Sequence, residues 1–364
     1  MLLPSMSLEL ESDVVLRDGT TVRLRPSRQD DTVTALRFLE GLSPESLYNR
    51  FLMTPRLDLA RARACVDVDQ SQQVVLVAER AGELVGMAGY YCDPARPEWA
   101  EVGFAVADAL QGHGLGTRLL ERLGEIARAR GLKAFEAFVR GENRRMMDVF
   151  LQSGFTETRQ IEQGTWHVTL SLEPTARLAA AAAGRARLAA TASLRRFFRP
   201  RTIAVVGANR EPGRIGSEIF RNLRESGFTG TLIPVNPGAA TVAGLAAYAR
   251  VSDVPGAVDL AVIVVPSAQV LAVVDDCIAK GVQALVVISA GFGECGESGR
   301  ALEAQLVAKI RAAGVRMIGP NCMGIVNTDP AVSLNATFAP ARPLQGRLAF
   351  LTQSGALGLS LIHI

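Results

Sequence analysis

Eighteen consecutive residues, Thr175 to Ala192, read TARLAAAAAGRARLAATA, and almost nothing in them can build a core. Ala, Leu and Arg favour helix, so the segment is expected as a semi-rigid helical connector. A basic helix that docks on a partner or an acidic surface is the alternative. Either way the chain has to fold as two units, one on each side. With 364 residues, each side is long enough to bury its own core. The expected division is a first domain over 14–172, the connector over 173–192, a second domain over 193–341 and the start of a further unit over 342–364.

Composition removes several classes of function. Hydrophobic residues make up 48% and charged residues 21%, a globular balance. Lys and Arg total 39 against 36 Asp and Glu, so the net charge of +3 does not argue for nucleic-acid binding. Cys65, Cys92, Cys277, Cys295 and Cys322 form no CxxC pair, which fits a reducing compartment and no metal site. The first residues, MLLPSMSLELESD, lack the pattern of a secretory signal. No apolar run reaches membrane-spanning length. The expectation is a cytoplasmic protein without a membrane or nucleic-acid partner.

In the first domain TVRLRP alternates as a strand, and Gln73 to Tyr91 reads as a hairpin folded at Ala81-Gly82. Trp99 to Ala107 is a further strand. TRLLERLGEIARARG is a helix, with Leu119, Leu120, Leu123, Ile126 and Ala127 on one face. AFEAFVR, a short helix in NRRMMDVFLQSGF and the strand GTWHVTLSL complete the set. Between the strand and the longer helix lies Gln111-Gly112-His113-Gly114-Leu115-Gly116-Thr117. Glycines there let successive N–H groups turn toward one point, and the helix adds its positive end, an arrangement that holds a pyrophosphate.

Gln111, Gly114 and Gly116 fill the pattern Q/R-x-x-G-x-G/A, and in this the first domain resembles the GNAT acetyltransferase family. The resemblance extends to Asn143 and to Gly154-Phe155, the family's second CoA-contacting motif. It implies a mixed sheet splayed at the fourth strand, acetyl-CoA alongside that strand, and a cofactor set of Val106, Gln111 to Thr117 and Asn143.

Acetyl transfer to an amine needs a base to take the ammonium proton. Alternation puts Val102, Phe104 and Val106 on one strand face and Glu101, Gly103 and Ala105 on the other. Spacing alone leaves Glu101 either facing a cleft or facing solvent. The match of Ala100-Glu101-Val102 to lysine acetyltransferases of this type implies that Glu101 is catalytic, with the N–H near Val106 as oxyanion donor. The family's tyrosine seven residues after Asn143 is replaced by Phe150. Thiolate departure is then unassisted, which a thiol's modest pKa tolerates, or is helped by Tyr48, Tyr90 or water. LSPESLYNRF resembles a segment of GNAT domains joined to synthetase modules; Tyr48 and Arg50 either shape the acceptor side or serve capping and packing. His113 and His167 are not assigned to catalysis.

The second domain alternates apolar strands with helices, TIAVVGA, TLIPVNP, DLAVIVVP, ALVVISAG and VRMIGPN, which specifies a parallel sheet covered on both faces. The fold class is therefore α/β: a GNAT-type mixed sheet followed by a Rossmann-like domain. Gly207, Gly213 and Gly216 sit at the first strand–helix turn. NAD is not expected, because the second strand ends in Val235-Asn236-Pro237 without the acid that binds ribose. GANREPGRIG, PVNP, VVPSAQV, ISAGFGECGESG and GPNCMGIVN together resemble the CoA-binding domain of ADP-forming acyl-CoA synthetases. That implies CoA or acyl-CoA at Gly207, Gly213, Gly216, Asn236, Pro237 and Pro266. Gly238 stands where those relatives often place a cation for the CoA phosphates, and Cys322 is expected as a small packed residue.

The histidine and ATP-grasp parts of a synthetase are expected beyond Gly358. The last six residues, LSLIHI, are what the codons CTG TCT CTT ATA CAC ATC encode, a transposon end widely used in sequencing libraries. They are expected to be read-through, with the natural protein continuing. The expected function is acetyl transfer to a protein lysine, with an acyl-CoA synthetase as partner by resemblance only. The rivals are an ADP-forming acetate–CoA ligase carrying an accessory acetyltransferase, and a non-enzymatic CoA sensor.

Overall fold

The computed structural model describes residues 10–70, 73–340 and 343–353. The final hexapeptide and the first nine residues, both subjects of expectations above, lie outside the described residues. The chain divides into two units, Met1–Thr191 and Ala192–Ile364.

Among its described residues the first unit has eight strands: β1 (Ser12–Val15), β2 (Thr21–Pro26), β3 (Gln73–Arg80), β4 (Glu83–Asp93), β5 (Arg96–Val106), β6 (Ala134–Arg140), β7 (Thr156–Glu162) and β8 (Thr165–Ser171). Its helices are α1 (Thr32–Glu40), α2 (Pro44–Phe51), α3 (Leu59–Val66), α4 (Leu115–Ala129), α5 (Arg144–Ser153) and α6 (Ala176–Phe198), the last running past the unit's end. The strands lie in the order β1-β2-β3-β4-β5-β6-β8-β7. Only β5 and β6 run parallel, which requires the crossover that α4 supplies.

That parallel pairing covers only Trp99–Glu101 against Ala134–Glu136, while β5 continues to Val106. Beyond Glu101 the sheet splays open. Because β1 adds a strand at the front, the splayed strand is the fifth rather than the fourth. The faces differ in what covers them. Leu119, Leu120, Leu123, Ile126 and Ala127 of α4 are all buried, as their spacing requires, and pack with Met147 and Phe150 of α5. Side chains from α1 and α3 pack on Val75, Val77, Met87 and Ala105. Along β5, Val102 belongs to the α4 side and Ala105 to the other.

The Ala/Arg-rich segment is helical, but its first half is docked rather than free. Leu178 enters the core, and Arg185 donates to Glu121 of α4 and to the carbonyls of Gln152 and Ser153 that end α5.

Arg25 forks onto Asp31 at 2.6 and 2.8 Å and reaches Glu79 at 2.9 Å, with Arg25 and Asp31 nearly buried. Burial pushes the Asp31 carboxyl up, but hydrogen bonds from Arg25 and the Arg28 N–H outweigh it and hold it below the usual range. The stability this contributes is present above the unfolded value, about pH 4, and is lost as pH falls through the lower folded value. Arg25→Met strands the carboxylate. It is expected to cost about 3 kcal/mol at pH 7, with the gap from wild type closing below about pH 4. Urea unfolding of both proteins at the two pH values measures this; an equal gap at both refutes it.

The second unit has strands β9 (Thr202–Val206), β10 (Thr231–Val235), β11 (Thr241–Val242), β12 (Leu245–Ala246), β13 (Leu260–Ile263), β14 (Ala284–Val287), β15 (Arg316–Ile318), β16 (Gly324–Asn327) and β17 (Leu334–Thr337). Its own helices are α7 (Ile215–Glu225), α8 (Ser267–Lys280) and α9 (Glu297–Ala313). The parallel sheet runs β10-β9-β13-β14-β15, the doubly wound order in which strand addition changes side between β9 and β13. Both faces are buried, as the uninterrupted apolar strands foretell. The short hairpin of β16 and β17 packs against α7, whose Asn222 donates to the Thr337 and Ala339 carbonyls.

Candidate active site

The turn after β5 is built to leave amides free. Gly112 and Gly114 take φ of +81° and +92°, backbone that a side chain rarely tolerates. Gly114 is the N-cap of α4 and brings no capping side chain. The first intrahelical bond runs from the Arg118 N–H to the Gly114 carbonyl, so the N–H groups of Gly114, Leu115, Gly116 and Thr117 precede it. They point along the helix axis where its dipole favours an anion. Leu115 and Thr117 are buried and anchor the helix start, Leu115 packing into the space that Gly86 leaves beside β5.

Two residues of the loop are spent on the protein itself. His113 hydrogen-bonds Asp18 through Nδ1 at 3.0 Å, and its N–H and carbonyl meet Leu110 and Arg17. It therefore braces the loop and offers no amide to a phosphate. The Gln111 Nε2 lies 2.9–3.1 Å from Ser46 of α2, the Val106 carbonyl and Asp108, while its Oε1 accepts from Arg145 of α5 at 2.5 Å. Asp108 in turn accepts from the Ser43 N–H and the Ser43 and Ser46 hydroxyls at the start of α2. Asn143 caps α5 by accepting from the Met146 N–H, which commits its Oδ1.

The splay exposes the backbone of β5. The Ala107 N–H donates to the Val85 carbonyl of β4, and antiparallel bonding alternates, so Val106 and Phe104 turn their N–H groups away from β4. Past Glu101 no β6 partner meets them. The Val106 carbonyl on that side is taken by Gln111, and the Val106 N–H faces the gap.

Glu101 stands on the last rung before the strands part, exposed and paired in register with Tyr91 on one side and Glu136 on the other. Sequence reasoning missed both neighbours. Glu136 is buried, clamped by Arg96 at 2.5 and 3.0 Å, and this bidentate contact holds its carboxyl below the usual range against burial. The His167 Nε2 is 3.7 Å from Glu136, and its ring stacks on the half-exposed Phe138 at 4.9 Å. Arg50 of α2 lies against Gly103, 2.9 Å from where a Cβ would be, and hydrogen-bonds Tyr91, whose phenol burial pushes up. Arg140 of β6 sits 4.6 Å over the Tyr48 ring of α2, bridging the open side. The face around Glu101 is thus aromatic and mixed in charge: Glu136 is neutralised by Arg96, and Arg50 and Arg140 stand on the α2 side.

In the second unit, Gly207, Asn236 and Pro266 gather at the C-terminal ends of β9, β10 and β13, the crevice where doubly wound sheets bind ligands. A Cβ on Gly207 would lie 2.1 Å from the Val264 carbonyl, and one on Gly216 would lie 2.1 Å from the Gly207 carbonyl. Those two glycines are demanded by close packing. Gly213, at φ +84°, has open space around it, and its N–H is held by Glu218. Asn236 ties the Ala208 carbonyl to the Gly238 N–H, Pro237 follows it in the turn, and Pro266 caps the start of α8. Cys322 donates to the Val287 carbonyl and burial raises its pKa, which suits a packed thiol.

Residues 40–155 match the acetyltransferase (GNAT) family, and residues 201–328 match a CoA binding domain. An acetyltransferase of Pseudomonas aeruginosa is 31% identical over 157 residues, covering 41% of this chain and 83% of that protein. The chain belongs to the GNAT acetyltransferase family. Its second unit is similar to the alpha subunit of ADP-forming acetate–CoA ligase II of Pyrococcus furiosus, 47% identical over 167 residues and 46% of this chain. The chain spans 36% of that subunit's length. The crystal structure of the GNAT domain of S. lividans PAT is 34% identical, covers 46% of this chain and 99% of that one, and aligns with a TM-score of 0.43.

Within the GNAT unit, Phe150 is a core residue, buried and edge-on to Phe104 at 6.2 Å. Tyr90 is likewise buried, its ring against Phe135, and does not reach the open face around Glu101. Tyr48 and Tyr91 are the phenols on that face. Ser43 caps α2, so the segment serves capping, and Tyr48 lies beneath the Arg140 guanidinium.

Proposed function

We propose that the GNAT unit transfers the acetyl group of acetyl-CoA to the ε-amine of a protein lysine, with Glu101 as general base. The observation that carries this is Glu101 on the last paired rung of β5, beside the gap into which the Val106 N–H points. In this scheme the free amides at the head of α4 hold the pyrophosphate. Val106 lies five residues beyond Glu101, about 16 Å along the strand, so Glu101 takes one proton from the lysine ammonium through intervening water, and the amine nitrogen then bonds to the thioester carbon. The Val106 N–H donates to the carbonyl oxygen as negative charge gathers there. As the carbon–sulfur bond breaks the attacking nitrogen gives its second proton to solvent, and the thiolate takes one from solvent, since Phe150 has none to give. The half-exposed Phe138, stacked on His167, borders the approach for an alkylammonium, while Glu136 and Tyr48 are already engaged by Arg96 and Arg140. An acyl-CoA synthetase is the acceptor that family resemblance suggests, and the second unit would bind CoA or acyl-CoA as a regulatory ligand.

Incubation of the chain with labelled acetyl-CoA and an acyl-CoA synthetase, followed by peptide mapping, tests this. Label on lysine is expected; label confined to small amines, or absent, removes the protein acceptor.

The second unit supports a different activity, ligation of acetate to CoA with formation of ADP, because residues similar to an ADP-forming ligase subunit carry its CoA crevice. ATP-dependent CoA thioester formation by the chain, alone or with a separate ATP-grasp subunit, would favour that activity. Binding of CoA without either reaction would leave a CoA sensor.

A further inference from the structure

At the opposite edge of the second sheet from its CoA crevice, the N-terminal ends of β9, β13 and β14 meet the last turn of α6. A cavity of about 400 Å³ opens there, ringed by Arg195, Arg196, Arg199, Arg201 and Lys280 with Asp259 as the one carboxylate among its lining residues. Arg195 and Arg196 alone would be unremarkable, because cations complement the negative end of a helix. The other three come from different elements: Arg199 follows α6, Arg201 leads into β9 and Lys280 closes α8. Five cations converge where like charges repel.

Arg195, Arg201 and Lys280 make no ion pair among the described residues. Asp259 accepts from the Arg201 and Thr202 N–H groups at 2.7 and 3.1 Å, so its charge is committed to backbone. Lys280 donates to the Val254 carbonyl, which satisfies a hydrogen bond without neutralising the ammonium. Arg199 pairs with Asp329 at 2.6 Å. The elements themselves are fixed, since Phe197 is buried in the core and Pro200 is buried beside it. The cations are held on a rigid frame rather than on loops that can scatter them.

We propose that this cavity is a binding site for a compact polyphosphate anion. Guanidinium forks and an ammonium suit phosphate oxygens, and the volume falls within the range of small-ligand sites. The lining contains Pro200, Ala257, Val258 and Gly281 but no aromatic side chain. It offers no platform for a nucleobase, so the phosphates are what is read.

Calorimetric titration of sodium tripolyphosphate into the whole chain, with CoA saturating at about 0.15 M salt, tests the site. Binding is expected, weakened at least about tenfold in Arg195→Ser/Arg201→Ser, the loss of two charge-assisted contacts. CoA binding and thermal unfolding of the double variant should match wild type; Lys280→Gln, at a separate element, should weaken binding on its own. An ATP arm separates the sources: equal affinity assigns the site to the phosphate chain alone, and tighter binding assigns it to a nucleotide's phosphates. No binding under saturating CoA, equal binding by the double variant, or competition by sulfate at equal ionic strength overturns the proposal.

Discussion

Glu101→Gln is expected to lower acetyl transfer by about 10²–10⁴-fold while leaving acetyl-CoA affinity unchanged. The substitution keeps size and hydrogen bonding but removes the proton acceptor. The pyrophosphate would be held by amides at the head of α4, on main-chain atoms that Glu101 does not touch. Single-turnover transfer measures the first quantity and calorimetry the second. Transfer within a few-fold of wild type would strip Glu101 of its role. Glu136 would not inherit it, because Arg96 holds that carboxylate ionised and occupied.

Gly207→Ala is expected to destabilise the second unit by about 4 kcal/mol, whereas Gly213→Ala should cost only about 1 kcal/mol. Both positions have φ near +90°, so the backbone strain is shared. They differ in space: an added Cβ meets the Val264 carbonyl at 2.1 Å in the first case and nothing within 4 Å in the second. Denaturant unfolding of the second unit separates the two. Equal costs would mean that the β9–β13 junction is looser than its geometry implies.

Much of this was legible from residue pattern. The α4 stripe and the apolar strands of the second sheet declare their partners, because a periodic apolar face has to be covered. TETRQIE, which forms β7, showed no such signal. It is an exposed edge strand whose pairing comes from β8 and not from burial. The paired position of Glu101 was visible as a charge at the head of an apolar strand. Its neighbour Glu136 was not, because the register of a parallel pair is fixed by the crossover between them, 35 residues apart in sequence, and leaves no local trace. The bracing role of His113 was equally hidden, since it depends on Asp18, 95 residues earlier, between β1 and β2.

The side chain of Gln111 ties three places together: the glycine turn it belongs to, the helix that carries Ser46 and Tyr48, and the helix that carries Arg145. Whichever partner settled first would thus preset the seat of the other. The coupling would be reciprocal, each ligand tightening the other by the same factor in either order of arrival, with no visible movement.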